Sequence, residues 1–281
     1  MHDTSRIRPS IDVEQMATSH AAIIGGAGGL ATDLVRCGLG RLTLIDFDRI
    51  DSSNPARQDF PHTQIRRLKV EYVRDWARSI NPDVQVDILP RDFCELSEEE
   101  MGAILGPADL LINATDSFAA SARGNKEALR LGLDSIWIGM YAGGRAGEIV
   151  FSDSQRTLAC YRCICDSRYR AFEEGHPPAS SVGGTILDLR LVDAIAGQIA
   201  IGLLTRGAAN RFGRLIDGLG ARNLIQVKID PGYTLNGRDP FTERLGASPA
   251  HFSFTSMALE MTPDPECPDC AAVRQEAGAH P

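Results

Sequence analysis

Short apolar runs and segments of helical periodicity alternate along the first half of the chain. Residues 21–24 are apolar and lead into the glycine-rich residues 25–29, after which residues 30–37 have helical spacing. A second apolar run, residues 42–45, ends at Asp46. This order predicts a strand, a glycine turn, a helix and a second strand, which together make one βαβ unit.

The same alternation continues to about residue 139. The pattern predicts, in order, a helix over 66–79, a strand over 84–88, a helix that starts at 97–100, a strand over 109–113, a helix over 125–131 and a strand over 135–139. Apolar strands that alternate with helices are typical of a parallel sheet with helices on both faces. We therefore expect an α/β fold with a doubly wound, mostly parallel, Rossmann-like sheet.

Beyond residue 150 the pattern changes. Residues 164–184 are polar and contain proline and glycine pairs, which predicts a long exposed loop. Residues 186–204 predict a long apolar helix, and residues 223–229 predict a strand. Residues 231–250 are too rich in glycine and proline to assign.

Near the C-terminus, Phe252 and Phe254 alternate like core positions of another strand, and the tail after Cys270 is expected to fray. We divide the chain into an N-terminal arm, a main α/β domain and a C-terminal extension that completes a cysteine site, over residues 1–20, 21–206 and 207–281 respectively.

Composition and charge narrow the possible partners. The 281 residues carry a formal net charge of -8 and a pI of about 5.3. This balance disfavours nucleic acid as a partner but leaves room for an anionic nucleotide in a local basic pocket. The polar N-terminus lacks the apolar segment of a secretory signal, and no run approaches the ~18 apolar residues of a membrane span. We expect a cytoplasmic protein without membrane contact.

The glycine turn has the chemistry of a nucleotide site. Gly26, Gly28 and Gly29 belong to a G-x-G-x-x-A stretch, and Asp46 ends the next strand. Such glycines let backbone N–H groups approach a phosphate at a helix N-terminus, while the acidic residue accepts hydrogen bonds from ribose hydroxyls. A plain tight turn with a buried aspartate is the alternative. The motif does not separate NAD from ATP.

The residues after Asp46 favour a triphosphate. Asp48 is followed by Asn54, Arg57 and Gln58, and Lys69 stands at the start of the next predicted helix. A triphosphate needs several cations and donors, whereas a dinucleotide needs fewer. The alternative for Arg57 and Lys69 is solvated surface charge.

Four cysteines form two C-x-x-C pairs. Cys160 pairs with Cys163, and Cys267 pairs with Cys270. Four thiolates in two such pairs complete a tetrahedral Zn²⁺ site with no open position, which indicates a structural metal. A redox pair or four unrelated thiols are the alternatives.

Taken together, these motifs resemble the ThiF/MoeB/HesA family, the bacterial relatives of ubiquitin-activating enzymes. The resemblance covers about residues 20–206 and resumes near residue 264. Besides the two cysteine pairs, it rests on the segments Gly26–Ala31, Leu44–Asp48, Ser53–Gln58, Lys69–Glu71, Asn81–Pro82 and Asn113–Phe118.

The resemblance implies an ATP-dependent adenylyltransferase that activates the C-terminal carboxylate of a ubiquitin-like protein, a sulfur-carrier protein or a peptide and releases pyrophosphate. It implies that Asp46 holds the ATP ribose, that Arg57 and Lys69 act on the phosphates, and that Asp116 holds Mg²⁺. Asn54 and Gln58, with Asp48 and the glycine turn, would line the same pocket. A homodimer is also implied.

Two departures from the family pattern concern arginines. Family members carry an arginine five residues after the Mg²⁺-binding aspartate, where this chain has Ser121, with Arg123 nearby. An N-terminal arginine of the family reaches the ATP of the neighbouring subunit, and here Arg6 and Arg8 both remain candidates.

A third departure concerns the cysteine that forms a thioester in many relatives. The loop that carries it there contains only Cys165 in this chain, close to the expected zinc, and Ser180 and Ser181 stand where the nucleophile is expected. We therefore expect catalysis to stop at the adenylate. An NAD-dependent oxidoreductase, supported by the glycine turn, and a non-catalytic scaffold that binds a partner protein remain alternatives.

Overall fold

A single sheet organises the protein, for which a computed structural model describes residues 2–176, 182–249 and 251–276. Its strand order is β3-β2-β1-β4-β5-β6-β7-β8. Neighbours from β3 to β5 pair in parallel, and β6, β7 and β8 continue the sheet by antiparallel pairing. The strands are β1 (His20–Ile24), β2 (Arg41–Ile45), β3 (Gln85–Leu89), β4 (Leu110–Asn113), β5 (Asp134–Met140), β6 (Ala146–Ser152), β7 (Arg222–Lys228) and β8 (Thr255–Glu260).

Helices cover both faces of this sheet. The apolar sides of α1, α2, α3, α8 and α9 form the main core on one face, while α4 and α5 form a second core on the other face. The helices are α1 (Val13–Thr18), α2 (Gly28–Arg36), α3 (Lys69–Ile80), α4 (Glu98–Leu105), α5 (Phe118–Leu131), α6 (Tyr161–Ile164), α7 (Asp166–Glu173), α8 (Ile186–Leu204), α9 (Arg211–Leu219), α10 (Pro240–Leu245) and α11 (Ala271–Glu276).

The predicted doubly wound, mostly parallel α/β fold is confirmed. Residues 21–24 of β1 are buried because helices cover the strand from both sides, which explains why the run is apolar without alternation. Within the described residues, none of the helices has the combination of length and apolar character that a bilayer crossing needs.

Side-chain caps fix the starts of several helices, among them α4, α5 and α8. At α4, the Ser97 hydroxyl accepts the Glu100 N–H while the Glu100 carboxylate accepts the Ser97 N–H, and Thr185 and Asp188 form the same capping box at α8. At α5, the Ser117 hydroxyl accepts a backbone N–H from the first turn. This cap begins α5 at Phe118, earlier than the predicted start at residue 125.

Two expectations for the second half were wrong. Residues 164–184 are not one exposed loop, because α7 lies within them and its Tyr169 is buried against the sheet. Phe252 and Phe254 are not core residues, because their side chains are 67% and 73% exposed and β8 begins only at Thr255.

The C-terminal part of the chain is more ordered than the sequence indicated. Helix α10 lies within residues 231–250, where Asp239 caps its first turn, and α11 follows directly after Cys270. Strands β7 and β8 extend the sheet of the preceding residues by antiparallel pairing.

One acidic cluster lies where α8 packs on α2. Asp193 of α8 faces Asp59 and Asp33, and Arg190 pairs with Asp59. Burial, together with the charges of Asp59 and Asp33, raises the pKa of Asp193 to about 7. The carboxyl group therefore holds its proton in the folded protein at pH values where it is ionised in the unfolded chain.

We predict that Asp193→Asn flattens the dependence of stability on pH. A raised carboxyl pKa in the folded state means that the wild type loses stability as the pH rises from about 4, the unfolded pKa, to about 7. Asparagine cannot ionise. The free energy of unfolding of the variant minus that of the wild type should therefore be roughly 1–3 kcal/mol higher at pH 8 than at pH 4.5. Urea unfolding at both pH values measures this difference, with Glu260→Gln, a change at an exposed carboxylate on β8, as the control. Parallel pH profiles for wild type and Asp193→Asn would contradict the prediction.

Candidate functional site

The strand order reverses at β1, and in doubly wound sheets such a reversal opens a crevice at the carboxyl ends of the strands. Strand β1 pairs with β2 on one side and with β4 on the other, so the connections leave β1 in opposite directions. Ligands of doubly wound sheets bind outside the carboxyl ends of the strands at such a reversal. Gly25, Asp46 and Ala114 are the first residues after these three strands.

The glycine turn lies tightly against this edge. Gly25 has φ 96°, and a β-carbon there would lie 2.8 Å from the carbonyl oxygen of Ala114. A β-carbon on Gly26 would lie 2.9 Å from Cδ of Lys69 and 3.1 Å from a carboxylate oxygen of Asp46. Only glycine therefore lets the backbone pass between β4 and these two side chains.

Helix α2 starts from this turn without a side-chain cap. Its N-cap residue is Ala27, and the helix begins with Gly28 and Gly29. A β-carbon on Gly28 would lie 3.0 Å from Val73, and one on Gly29 would lie 2.6 Å from Asp59. The N-terminus of a helix attracts anions through its N–H groups and its dipole, so this turn has the properties of a phosphate site.

Three charged side chains meet beside the turn. Asp46 is buried and accepts the N–H of Asp48 at 2.8 Å, while Nζ of Lys69 donates to the Asp48 carboxylate at 2.8 Å. Burial raises the pKa of Asp46; the Asp48 N–H and the Lys69 charge oppose this rise, and the charges of Asp48 and Asp116 add to it. The structure thus brings Asp46, Asp48, Lys69 and Asp116 into one electrostatic environment.

The segment after β2 folds over the same region. This segment contains a 3-10 helix, Asn54–Ala56. The Asn54 side chain holds its start by accepting the Asp51 N–H at 3.1 Å, and the Asn54 carbonyl accepts the N–H groups of Arg57 and Gln58. Asn54, Arg57 and Gln58 are all partly buried. Among the described residues, the buried Oε1 of Gln58 finds no hydrogen-bond donor. A buried acceptor of this kind is available to a ligand.

Asp116 is exposed just beyond β4, and the residues after it have structural partners. The Ser121 hydroxyl is buried and donates to the Asn113 side chain at 3.2 Å. The Arg123 guanidinium donates to the backbone carbonyls of Cys94 and Leu96. Ser121 and Arg123 therefore support the ends of β4 and the loop after β3, and their hydrogen bonds point away from a substrate role.

A polar cluster at the end of β5 was not singled out from the sequence. The Tyr141 hydroxyl donates to the Glu148 carboxylate at 2.5 Å, and Arg168 of α7 pairs with the same carboxylate. A β-carbon on Gly139, opposite Glu148, would lie 2.9 Å from the Glu148 side chain. The available signal was a glutamate within the apolar run of β6.

The connection into α8 crosses the end of β5 nearby. The Gly143 N–H donates to the Val182 carbonyl at 2.7 Å, and a β-carbon on Gly183 would lie 3.0 Å from Cα of Gly143. Both glycines have positive φ. Close backbone contact between Gly143 and Gly183 thus holds the residues just before α8 against the turn that follows β5.

The four paired cysteines converge where the segment after β6 meets the segment after β8. Their Sγ atoms all lie within 4.8 Å of one another. Cys160 Sγ lies 3.8 Å from Cys163 Sγ and 3.7 Å from Cys267 Sγ, and Cys163 Sγ lies 3.5 Å from Cys270 Sγ. Tetrahedral Zn–S bonds of about 2.3 Å place sulfur atoms about 3.8 Å apart. The cluster therefore has the dimensions of a zinc site, and all seven cysteines are free thiols.

Cys165 lies between α6 and α7 and does not join this cluster. Its side chain is 5% exposed and packs with Trp137, Tyr161 and Tyr169. Ser180 and Ser181 lie outside the described residues.

Comparisons with known proteins agree on one family. The ThiF family model matches residues 6–228. Ubiquitin-like modifier-activating enzyme 5 of Caenorhabditis briggsae is 28% identical over 166 residues, which are 54% of this chain and 38% of that protein. The Bombyx mori enzyme of the same name is 27% identical over 279 residues, 94% of this chain and 62% of that protein. The chain thus spans less than two thirds of these relatives.

Solved structures show the same fold. E. coli MccB with ATP superimposes with a TM-score of 0.65 at 16% identity, and MccB with AMPCPP and MccA does so at 17% identity. Both alignments cover 92% of this chain and 68% of MccB. Since the family model covers most of the residues, including the glycine turn, Asp46, Lys69 and Asp116, the chain belongs to the ThiF family.

Proposed function

We propose that the protein uses ATP to adenylate the C-terminal carboxylate of a ubiquitin-like protein, a sulfur-carrier protein or a peptide. The observation that carries the proposal is the crevice between β1 and β4, where the glycine turn, buried Asp46 and Lys69 share one edge of the sheet with Asp116. Two comparisons support it. Relatives are named as ubiquitin-like modifier-activating enzymes, and MccB has been solved with ATP and with MccA.

The nucleotide would lie across the glycine turn. We assign Gly26, Gly28 and Gly29 to the phosphates, because the start of α2 has no side-chain cap and its dipole attracts an anion. The Gly28 N–H donates to the Gly26 carbonyl at 2.8 Å, so it would exchange that bond for one to a phosphate. The ribose hydroxyls would donate to Asp46. This carboxylate already accepts one backbone N–H, and its depth in the crevice orients it toward the turn.

Cations and polar groups would surround the phosphates from the other side. We assign Arg57 and Lys69 to the phosphate charges and Asn54 and Gln58 to the same pocket. The unpaired Oε1 of the Gln58 side chain could accept a hydrogen bond from an N–H or O–H group of the nucleotide. Asp48 holds Nζ of Lys69 beside Gly26 and so positions the ammonium group.

Asp116 fits a Mg²⁺ role. It is an exposed carboxylate at the carboxyl end of β4, and its charge acts on Asp46 across the crevice. Hard cations such as Mg²⁺ prefer carboxylate and phosphate oxygens. When bound, the ion would spread the negative charge that develops on the phosphates.

The reaction needs no general base. A carboxylate oxygen of the substrate forms a bond to the α-phosphorus, and the bond from that phosphorus to the pyrophosphate oxygen breaks. The attacking carboxylate is already ionised at neutral pH, so no proton moves in this step. The task of Arg57 and Lys69 is to stabilise the leaving pyrophosphate and the crowded phosphorus centre.

We further propose a cytoplasmic homodimer in which Arg6 or Arg8 reaches the nucleotide of the partner subunit. In the single chain, Arg8 lies 3.4 Å from Glu14 in an exposed ion pair. Such pairs are weak, so this contact leaves Arg8 able to exchange partners.

We also propose that Cys160, Cys163, Cys267 and Cys270 hold one structural Zn²⁺. The sulfur spacing fits the metal, and four cysteine ligands leave no open coordination position. The metal would join the chain after β6 to the chain after β8.

We predict that Asp116→Ala lowers ATP–pyrophosphate exchange at least about 100-fold, because the variant loses a ligand for the charge-neutralising metal. Exchange is measured with a purified ubiquitin-like protein ending in glycine as the probe. The exposed Asp87→Ala is the matched control and should exchange normally.

The thermal midpoint of Asp116→Ala should stay near the wild-type value, since Asp116 is exposed and packs in no core. Near-normal exchange by a folded Asp116→Ala protein would remove Asp116 from the site.

Calorimetric titration of the wild type with ATP and NAD separates the alternatives: binding of NAD favours an oxidoreductase, and binding of neither favours a scaffold.

We predict about one zinc per chain in protein purified without chelators. Cys160→Ser or Cys267→Ser should lose the metal and unfold at lower temperature, because closed cysteine sites contribute their binding free energy to folding. Cys37→Ser, which alters a thiol outside the cluster, is the control. Metal analysis and thermal melting are the measurements, and a metal-free wild type would refute the zinc assignment.

We predict that no enzyme-bound thioester forms. Cys165 is buried between α6 and α7, and a thiol in that position is shielded from an adenylate. Enzyme, ATP and the carrier probe are incubated and compared on non-reducing and reducing gels. A thiol-sensitive adduct that is absent from Cys165→Ala would show that Cys165 is the acceptor after all.

A further inference from the structure

Two side chains outside the four cysteines contact both cysteine pairs. We call Cys160 to Cys163 the first hook and Cys267 to Cys270 the second hook. The hooks are distant in sequence, and they meet between α5 on one side and α11 on the other. Each of these helices contributes one residue that reaches across the junction.

Asn125 of α5 spans the hooks from the interior. Its Nδ2 donates to the carboxylate of Asp269, inside the second hook, at 2.7 Å and lies 3.7 Å from Sγ of Cys160 in the first hook. Its Oδ1 accepts the N–H of Tyr161 at 3.1 Å. Asn125 is 1% exposed, so no water competes for these contacts. One amide thus fixes both hooks to α5.

Arg274 of α11 spans the hooks from the surface. Its Nη1 donates to Sγ of Cys270 at 2.8 Å and lies 4.0 Å from Sγ of Cys163. The same guanidinium donates to the carbonyls of Leu158, at 3.3 Å, and Asp264, at 2.5 Å. The planar group therefore touches sulfur and backbone on both sides of the junction.

The charge of the cluster indicates that the Arg274 contacts do more than pack the two hooks together. Four thiolates around one Zn²⁺ leave two negative charges on the cluster. The Arg274 guanidinium offsets one of these negative charges, because it lies at hydrogen-bond distance from Sγ of Cys270. Donors to ligand atoms also hold the ligands in their metal-binding geometry, and their loss typically lowers metal affinity 10–100-fold.

We infer that Asn125 and Arg274 are the positioning residues of the metal site: Asn125 fixes the hooks to each other, and Arg274 offsets the charge of the thiolates and slows release of the metal. This inference rests on the proposed zinc site. It adds two residues that belong to neither C-x-x-C pair.

The test measures how fast zinc leaves the folded protein. Arg274→Ala should transfer zinc to a chromophoric chelator about 10–100-fold faster than the wild type. Arg274→Lys should lie between them, because lysine keeps the charge but not the planar fork that reaches sulfur and carbonyl together. Gln275→Ala, an exposed change next door, is the matched control and should release zinc at the wild-type rate.

A second readout reports on the sulfur atoms themselves. In Co²⁺-substituted protein, loss of a donor to sulfur leaves that thiolate richer in electrons, so its charge-transfer absorption should move to lower energy in Arg274→Ala. A role in packing alone would leave this band in place. Asn125→Leu should release zinc faster as well. If that variant fails to fold, Asn125→Ser, whose side chain is too short to reach Asp269 and Cys160 together, is measured in its place.

The outcomes separate this inference from the zinc assignment. Zinc present in the wild type, with equal release rates and equal cobalt spectra for wild type and Arg274→Ala, overturns the role of Arg274. Equal release from a folded Asn125→Leu overturns the role of Asn125. A wild type that binds neither zinc nor cobalt overturns the zinc site itself.

Discussion

The parallel pairing of β1 with two partners determines where the residues of the candidate nucleotide site meet. Ile24 lies beside Ile45 of β2 and beside Asn113 of β4, so three chain segments leave the sheet at the same level. The glycine turn, Asp46 and the Asp116 segment follow from this register. A slip by one residue would reverse the faces of a strand and separate these groups. The full burial of β1 makes such a slip costly, because the strand packs on both sides.

The sequence predicted those parts of the fold whose determinants are local. Helix α8 was predicted with its observed bounds, because its apolar run is long and Thr185 and Asp188 cap it within the same stretch. Helix α7 was missed, since it is short and polar and depends on burial of Tyr169 against α5 and β5. Phe252 and Phe254 have the spacing of a buried strand, but both side chains are exposed among the described residues, and spacing alone cannot reveal that.

The same distinction holds for the candidate sites. The glycine turn, Asp46, Lys69 and the C-x-x-C pairs are visible as short motifs. The direction of the Arg123 side chain was not, because its partners are carbonyls 27 and 29 residues away. Asn125 and Arg274 carry no motif either, since Asp269 lies 144 residues from Asn125. Residues that act through distant contacts emerge only from the three-dimensional arrangement.

The separation of the two hooks has a consequence for biosynthesis. Cys160 and Cys267 are 107 residues apart, and β7 and β8 lie between them. A chain emerging from the ribosome displays the first hook long before the second exists, so a four-sulfur site can close only after the last strands have been made. A cross-link that closes a loop of this length lowers the conformational entropy of the unfolded chain, which stabilises the folded chain by about 4–5 kcal/mol. Metal capture would therefore act as a late checkpoint, which stabilises complete chains and leaves truncated ones with two open thiols.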